Sequence, residues 1–274
     1  MFLIGPFAAS RVNVLQNDFA AGLPAPTAFV GLAASVAPAV GAPRWGVGVL
    51  PLIHEISVSP GQTRGQMSKD GAGIKVLDIP ADMTGTVRFS LIVDLPVGKA
   101  GQIMTAVSTA RLAGGLIFPC DDAKMVEIQD GASLRRIAPG RLILPLAGLP
   151  VARRTGDVEA WLAAVFPSPV TDDAGDKVPT GWRVPLAVGF GLLEDPATAP
   201  RRGATRSDAV PHVFAEPIAG VGELASHKSA RVRGMSVEDL RALCWKYHTR
   251  GDVVAAHRAY LPEDEPQKEK SLEG

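Results

Sequence analysis

The chain has 274 residues, 46% hydrophobic, 20% charged and 5% aromatic, with 28 basic against 28 acidic side chains. That length allows one large domain or two small ones, with a core built mostly of Val, Leu, Ile and Ala. Zero net charge counts against a free-standing nucleic-acid binder, and counts less against a protein that touches RNA with one face and protein with another.

Several features bound the setting. The cysteines, Cys120 and Cys244, lie far apart without metal-ligand spacing and read as free thiols in a reducing cytoplasm. Met1 to Pro6 lacks the basic start of a secretion signal. Phe19 to Pro43 carries no charge, but Pro24, Pro26, Pro38 and Pro43 argue for a broken, buried helix in a soluble protein rather than a membrane span.

In chain order, Phe2–Ile4 and Val12–Leu15 read as extended, with Asn13, Gln16, Asn17 and Asp18 forming a polar turn. Pro24 and Pro26 set the start of a helix over Thr27 to about Ala37, with Phe29, Leu32, Val36 and Val40 as its apolar stripe. Gly46 to Val58 reads as a strand. Ser59 to Gly73 holds almost no core residues and reads as a long mobile loop carrying Arg64 and Lys69. Thr86–Leu95 predicts a strand pairing with the previous one. Gly98–Leu112 predicts a second helix stopped by Gly114-Gly115, followed by a short strand at Leu116–Phe118. Strand, helix, strand, strand, helix, strand is the ferredoxin-like (RRM-like) split βαβ order of an α+β fold.

Further on, Met125–Ile128 and Arg141–Leu146 read as short strands with Arg135, Arg136 and Arg141 around their turn. Asp157 is positioned to cap a helix containing Val158, Trp161, Leu162 and Val165, which Pro167 ends. Gly181–Leu193 reads as a strand whose Pro185 demands an edge or a bulge. Glu194 to Ser229 shows little periodicity. Ser236 predicts a helix with Leu240, Leu243, Cys244 and Tyr247 on one face, and Asp252 predicts a last helix through Tyr260. A charged tail follows Pro262.

Enzyme signatures are sparse. There is no nucleophile elbow and no P-loop, and His54-Glu55 lacks a second His at metalloprotease spacing. His54 reads as a satisfied core or edge histidine. Gly220-Val-Gly-Glu-Leu-Ala225 matches a dinucleotide fingerprint formally, but no apolar helix follows, and its glycines read as turns. His212 and His227 have no paired nucleophile or carboxylate by spacing. The sequence calls for neither metal nor cofactor.

The basic residues are more informative. Arg201, Arg202, Arg206, Lys228, Arg231 and Arg233 fall in one region, interleaved with Gly and Pro, and guanidinium groups there suit phosphate oxygens. Aromatic side chains for stacking bases are scarce. Phe214, Trp245 and Tyr247 are nearest, and the last two read as anchors of the terminal helix.

Val12 to Leu32, Arg141–Leu146, Gly181–Phe190, Thr205–Glu216, Gly220–Glu223 through Ser226 and Lys228, and Leu243–His248 together resemble the second Csy subunit of type I-F CRISPR surveillance complexes, a Cas-five-type member of the RAMP superfamily. Leu224 stands where that family usually has Trp, and the chain is compact for the family. The resemblance implies a single RAMP-like domain over 1–262, with a thumb-like insertion at about 57–82, an irregular elaboration at about 119–180, and a charged tail at 263–274. It implies a non-catalytic scaffold that holds the 5′ handle of the CRISPR RNA and caps the backbone filament. Its partners would be that RNA, the filament subunit, a large subunit where present, and the target-flanking DNA duplex, with no membrane. Arg206, His212 and Lys228 would then contact the handle, Asn13 and Asn17 would lie near the RNA, and Arg64 and Lys69 would lie on the thumb. Arg201, Arg202, Arg231 and Arg233 complete the expected RNA-binding set. Two other readings stay open: a RAMP endoribonuclease using His54 or His212 as general base, and a nucleotide-binding enzyme using Gly220–Ala225.

Overall fold

The computed structural model describes residues 1–17, 20–59, 67–71, 73–76, 83–95, 100–146, 158–168, 170–171, 177–178, 182–200 and 212–258. The fold is α+β, dominated by a large antiparallel sheet with few helices.

The N-terminal half begins with β1 (Phe2–Asn13), a single strand where two extended pieces were expected, followed by the small ribbon β2 (Leu15–Asn17) and β3 (Ala20–Ala21). Helix α1 (Pro26–Val36) starts with Pro26 in its first turn, where a missing N–H costs nothing. It buries Phe29, Val30, Leu32, Ala33 and Val36. Next come β4 (Val49–Val58), the hairpin β5 (Met67–Asp70) and β6 (Gly73–Val76), and β7 (Thr84–Val93). The hairpin corrects the loop expected over Ser59–Gly73, whose last residues pair Asp70 with Gly73. Helix α2 (Ala100–Thr109) is shorter than expected. The chain leaves it for β8 (Arg111–Leu112), and Ala113 and Gly114, both at positive φ, turn it into β9 (Gly115–Glu127). Thus Gly114-Gly115 makes a hairpin, and the two short strands expected at 116–118 and 125–128 are one.

Around β1 the strand order is β4-β7-β1-β9, all antiparallel. Phe7 and Phe89 meet at 5.7 Å, and Phe29 of α1 lies edge-on to Phe89 at 5.9 Å, so the helix seals one face of this sheet with aromatic contacts.

The C-terminal half adds β10 (Arg141–Pro145), α3 (Val158–Val165), the short pair β11 (Val170–Thr171) and β12 (Lys177–Val178), β13 (Trp182–Leu192), β14 (Ala215–Ser226), α4 (Ala230–Arg233), α5 (Val237–Ala242), β15 (Trp245–Arg250) and β16 (Val253–Arg258). One edge of β4 pairs with β7. The other is divided: Val49 pairs with Trp245 of β15, while Leu52 and Ile53 pair with Leu142 and Arg141 of β10. From there β15-β16-β13-β14-β10 runs back to β4, so six strands close a ring and cover edges that would otherwise be open. Trp245, 2% exposed, donates its indole N–H to the Ile143 carbonyl at 2.9 Å, one residue past the last β10–β4 pair. Its ring spans the gap where β15 and β10 diverge.

Four expectations are corrected here. Glu194–Ser229 contains the twelve-residue strand β14. Gly220 and Gly222 lie inside that strand rather than in turns: a Cβ at Gly220 would come within 2.6 Å of Val188 Cγ1, and one at Gly222 within 2.5 Å of Leu186 Cδ1. Helix α5 stops at Ala242, and Trp245 and Tyr247 belong to a strand, since residues two apart share one face of a strand as well as residues i+3 and i+4 share a helix face. Asp252 starts no helix: it sits with Gly251, at φ +57°, in the turn pairing Arg250 with Val253 of β16. Pro185 behaves as expected: among the described residues β16 pairs with β13 only at Gly189–Gly191, so that pairing asks no N–H of Pro185. Among the described residues no helix is long and apolar enough to cross a membrane.

If Trp245 bridges the ring, Trp245→Phe should strand the Ile143 carbonyl and leave a small void where the indole was wider, lowering stability by about 1–3 kcal/mol in urea unfolding. A midpoint equal to that of the parent would show that the bond carries no weight.

Candidate nucleic-acid interface

One end of the β10-β14-β13 sheet gathers a group of cationic side chains. Strand β14 ends at Ser226, opposite Arg141, the first residue of β10. His227 then turns inward, 1% exposed, and its Nδ1–H donates to the Gly140 carbonyl at 2.9 Å. That inward anchor leaves Lys228 in solvent. Ser229 caps α4 by accepting from the Val232 N–H, which holds Arg231 and Arg233 on one short turn.

The turn is fixed to the rest of the molecule from below. Gly131 N–H donates to the Met235 carbonyl at 2.8 Å, and Asp130 forms a bridge with Ser236. A Cβ on Gly131 would collide with the Val232 carbonyl, so only glycine lets the 3₁₀ turn Gly131–Arg136 lie flush against α4. Asp130 caps that turn through Ser133, and Ser236 with Asp239 makes a reciprocal capping box on α5. Both carboxyls are held below their usual range by these serine hydrogen bonds. Arg241 adds a tie by donating from Nε to both oxygens of Asp94 at 3.1 Å.

The cations are not equivalent. Arg231 grips the buried Glu223 carboxylate with three hydrogen bonds of 2.9–3.1 Å, so much of its charge is spent inside the protein. Lys228 and Arg233 stand exposed. Beside them, between the second half of β9 and the Gly131–Arg136 turn, a cleft of about 930 Å³ is lined by Lys124, Val126, Glu127, Ser133, Arg135 and Ile137. Sequence reasoning noted Arg135 and Arg141 near a turn, yet gave them no site role. Lys124 is an exposed cation inside an ordinary strand, which nothing local distinguishes.

Other expected residues lie elsewhere. Asn13 ends β1 opposite Thr84. Arg141 pairs with Ile53, which pairs with Phe89, five residues and roughly 17 Å along β7 from Thr84. The structure therefore does not bring Asn13 to the cationic turn. His212 is half-buried at the entry to β14. For Asn17 in β2 and Lys69 in β5 the described structure is the strand pairing. Arg64, Arg201, Arg202 and Arg206 lie outside the described residues, as does Asp157 before α3.

His54 is a bonded edge histidine, as expected. Its Nδ1–H donates to the Pro139 carbonyl at 2.9 Å, which leaves Nε2 to accept from the Ser90 hydroxyl at 2.8 Å. With both ring nitrogens engaged and Ser90 fully buried, the general-base reading of His54 has no free lone pair to use. His54 and His227 thus hold successive carbonyls, Pro139 and Gly140, just ahead of β10. The nucleotide-binding reading of Gly220–Ala225 fails on geometry, because those residues lie within a strand rather than at a strand-to-helix turn.

Residues 150–255 match the family model described as CRISPR-associated protein (Cas_Csy2). The matching family is Csy2. Residues 150–255 are similar to that family, in agreement with the resemblance read from the sequence. The Csy2 match spans less than half of the 274 residues, taking in β13, β14 and the cationic turn and leaving out β1 through β10. No curated protein matches the chain.

Burial, reinforced by the charges of Arg88 and His227, pushes the His54 imidazole below its ordinary value of 6.5. A lowered value means the unfolded chain binds the proton first, so stability is intact above about pH 6.5 and falls as pH drops below it. Thermal melting from pH 7.5 to 5 should show that loss, and His54→Gln should flatten it. An unchanged acid limb in the variant would remove His54 from the account.

Proposed function

We propose that this chain is a non-catalytic CRISPR RNA-binding scaffold subunit of a type I-F complex, holding the 5′ handle of the guide RNA on the turn from Ser226 to Arg233. The observation that carries the reading is the family match over residues 150–255, because the cationic turn lies within it. Electrostatics supports it. A chain with no net charge concentrates Lys228, Arg233, Arg135 and Lys124 on one side, which suits a phosphate backbone there and protein neighbours elsewhere. Caps on the short turns Gly131–Arg136, α4 and α5 hold the segments that carry Arg135, Lys228 and Arg233, so less entropy is lost on binding.

The body is a ferredoxin-like, RAMP-type unit extending to about residue 262. The strand order β4-β7-β1-β9 with α1 and α2 in the crossovers supports this, because it is the order a split βαβ motif produces. The β5–β6 hairpin falls within the thumb-like insertion at about 57–82, where Arg64 and Lys69 would reach RNA or the next filament subunit. Arg201, Arg202, Arg206 and His212 would extend the RNA track from the segment before β14, while Asn13 and Asn17 would touch a separate stretch. The subunit works in the cytoplasm, caps the backbone filament, contacts a large subunit where one exists, and borders the target duplex.

Purification of the full chain from cells making a CRISPR RNA, with the neighbouring gene products, should recover RNA enriched in the 5′ end of the processed transcript. Reversing Lys228 and Arg233 together to Glu should cut recovery at least about tenfold, with each lost phosphate contact lowering the salt slope by about 0.7. Recovery at the level of an unrelated protein would overturn the reading.

A further inference from the structure

The end of the sheet that carries the cationic turn also carries an aromatic side chain with no structural task. Trp182, the first residue of β13, is 60% exposed. Trp245 donates to Ile143 inside the ring, Trp161 donates to the Gly220 carbonyl at 3.1 Å, and Trp45, also exposed and under the Arg44 guanidinium, lies edge-on to Tyr247 at 5.7 Å, away from this end of the sheet. Trp182 lies directly opposite Leu224, two residues before Ser226, and the Arg141 guanidinium sits over its ring at 5.1 Å from the centroid. Arg141 in turn pairs with Ser226. Trp182 therefore lies beside β14 two positions before its last residue, Ser226, after which the chain turns through His227 to Lys228.

We propose that Trp182 and Arg141 form a nucleobase-stacking platform for single-stranded RNA, and that the base stacked there belongs to a nucleotide whose phosphate lies toward Lys228. An exposed indole on a strand is costly to leave in water, and a guanidinium on one face orients it while adding cation–π attraction. The other face of the ring is the right size for a purine or pyrimidine, and stacking accepts any base. Arg141 supplies charge beside the stack, so base and phosphate are taken up together. Charge favours RNA over an apolar protein segment: the Arg141 guanidinium covers one face of the indole, and Lys228 is exposed just past the end of β14, whereas a protein contact would be expected to surround the ring with uncharged apolar side chains. The platform deepens the RNA-holding role proposed above and rests on it.

The test uses the full chain and two fluorescein-labelled eight-nucleotide RNAs, one of mixed sequence and one with a single abasic position placed in turn along it. Trp182→Ala should weaken binding of the mixed RNA by about 5- to 150-fold while leaving the salt slope unchanged, and Trp182→Phe should recover most of the loss. One abasic position should weaken the parent and leave Trp182→Ala unaffected. Equal binding by Trp182→Ala and the parent, with charge reversal at Lys228 and Arg233 still disruptive, would overturn the platform and leave the RNA reading standing. Failure of the parent to bind either RNA would overturn both. Melting temperatures within about two degrees of the parent would exclude misfolding as the cause, since an exposed position tolerates substitution.

Discussion

The edge of β4 is asked to serve two strands at once, and most of the molecule follows from that. A single strand has one free edge after pairing with β7, yet Trp245 takes its start and Leu142 and Arg141 take its middle. Two strands leaving one edge diverge, and the backbone groups between them lose their partners. Trp245 repairs this with one indole N–H and a large apolar ring, both buried. Tyr247, two residues on, donates its hydroxyl to the Thr27 carbonyl at 2.7 Å, so β15 also secures the first turn of α1. Adjacent alternate residues of one short strand thus bind the ring to itself and to the helix-backed sheet.

Closure of the ring sets the position of the charged turn. Because β10 is held to β4, Gly140 and Pro139 lie where His54 and His227 take their carbonyls. Because His227 is drawn inward, Lys228 is pushed outward. Strand β14 presents Glu223 to Arg231, which ties one of the three cations of the turn to the protein. A buried carboxylate without that partner would be expensive, so Arg231 supports the turn while Lys228 and Arg233 remain for a ligand. The free cysteine Cys244 has no comparable role. Burial drives its thiol far above the usual range, and its Sγ–H points at the Leu240 carbonyl.

Much of this was legible from residue patterns, and the failures have physical reasons. Helix α1 was readable because Pro26 and an apolar stripe agree with one another. The cap at Ser236 was readable for the same reason, but its helix was drawn too long: Leu240, Leu243, Cys244 and Tyr247 satisfy helical spacing by coincidence, and the β-forming Trp245, Tyr247, Val253 and Val254 were outvoted. Strand β14 is hidden in the sequence because Gly220 and Gly222 look like turn residues, whereas Val188 and Leu186, packed against them, are what require their small size. The cationic cluster at Lys228–Arg233 was legible as composition. That Arg231 is consumed by Glu223, that Asn13 lies far away, and that Trp182 shares the cluster's end of the sheet are facts of register, which no local pattern encodes.

At the centre stands the claim that ring closure presents one end of the sheet to RNA. Ultraviolet cross-linking of the assembled ribonucleoprotein, followed by mass spectrometry of RNA-modified peptides, tests it directly. Adducts concentrated on the peptides bearing Trp182 and residues 226–233 are the predicted result. Adducts confined to the body, for instance around the exposed Phe118 of β9, with none at that end of the ring, would contradict it.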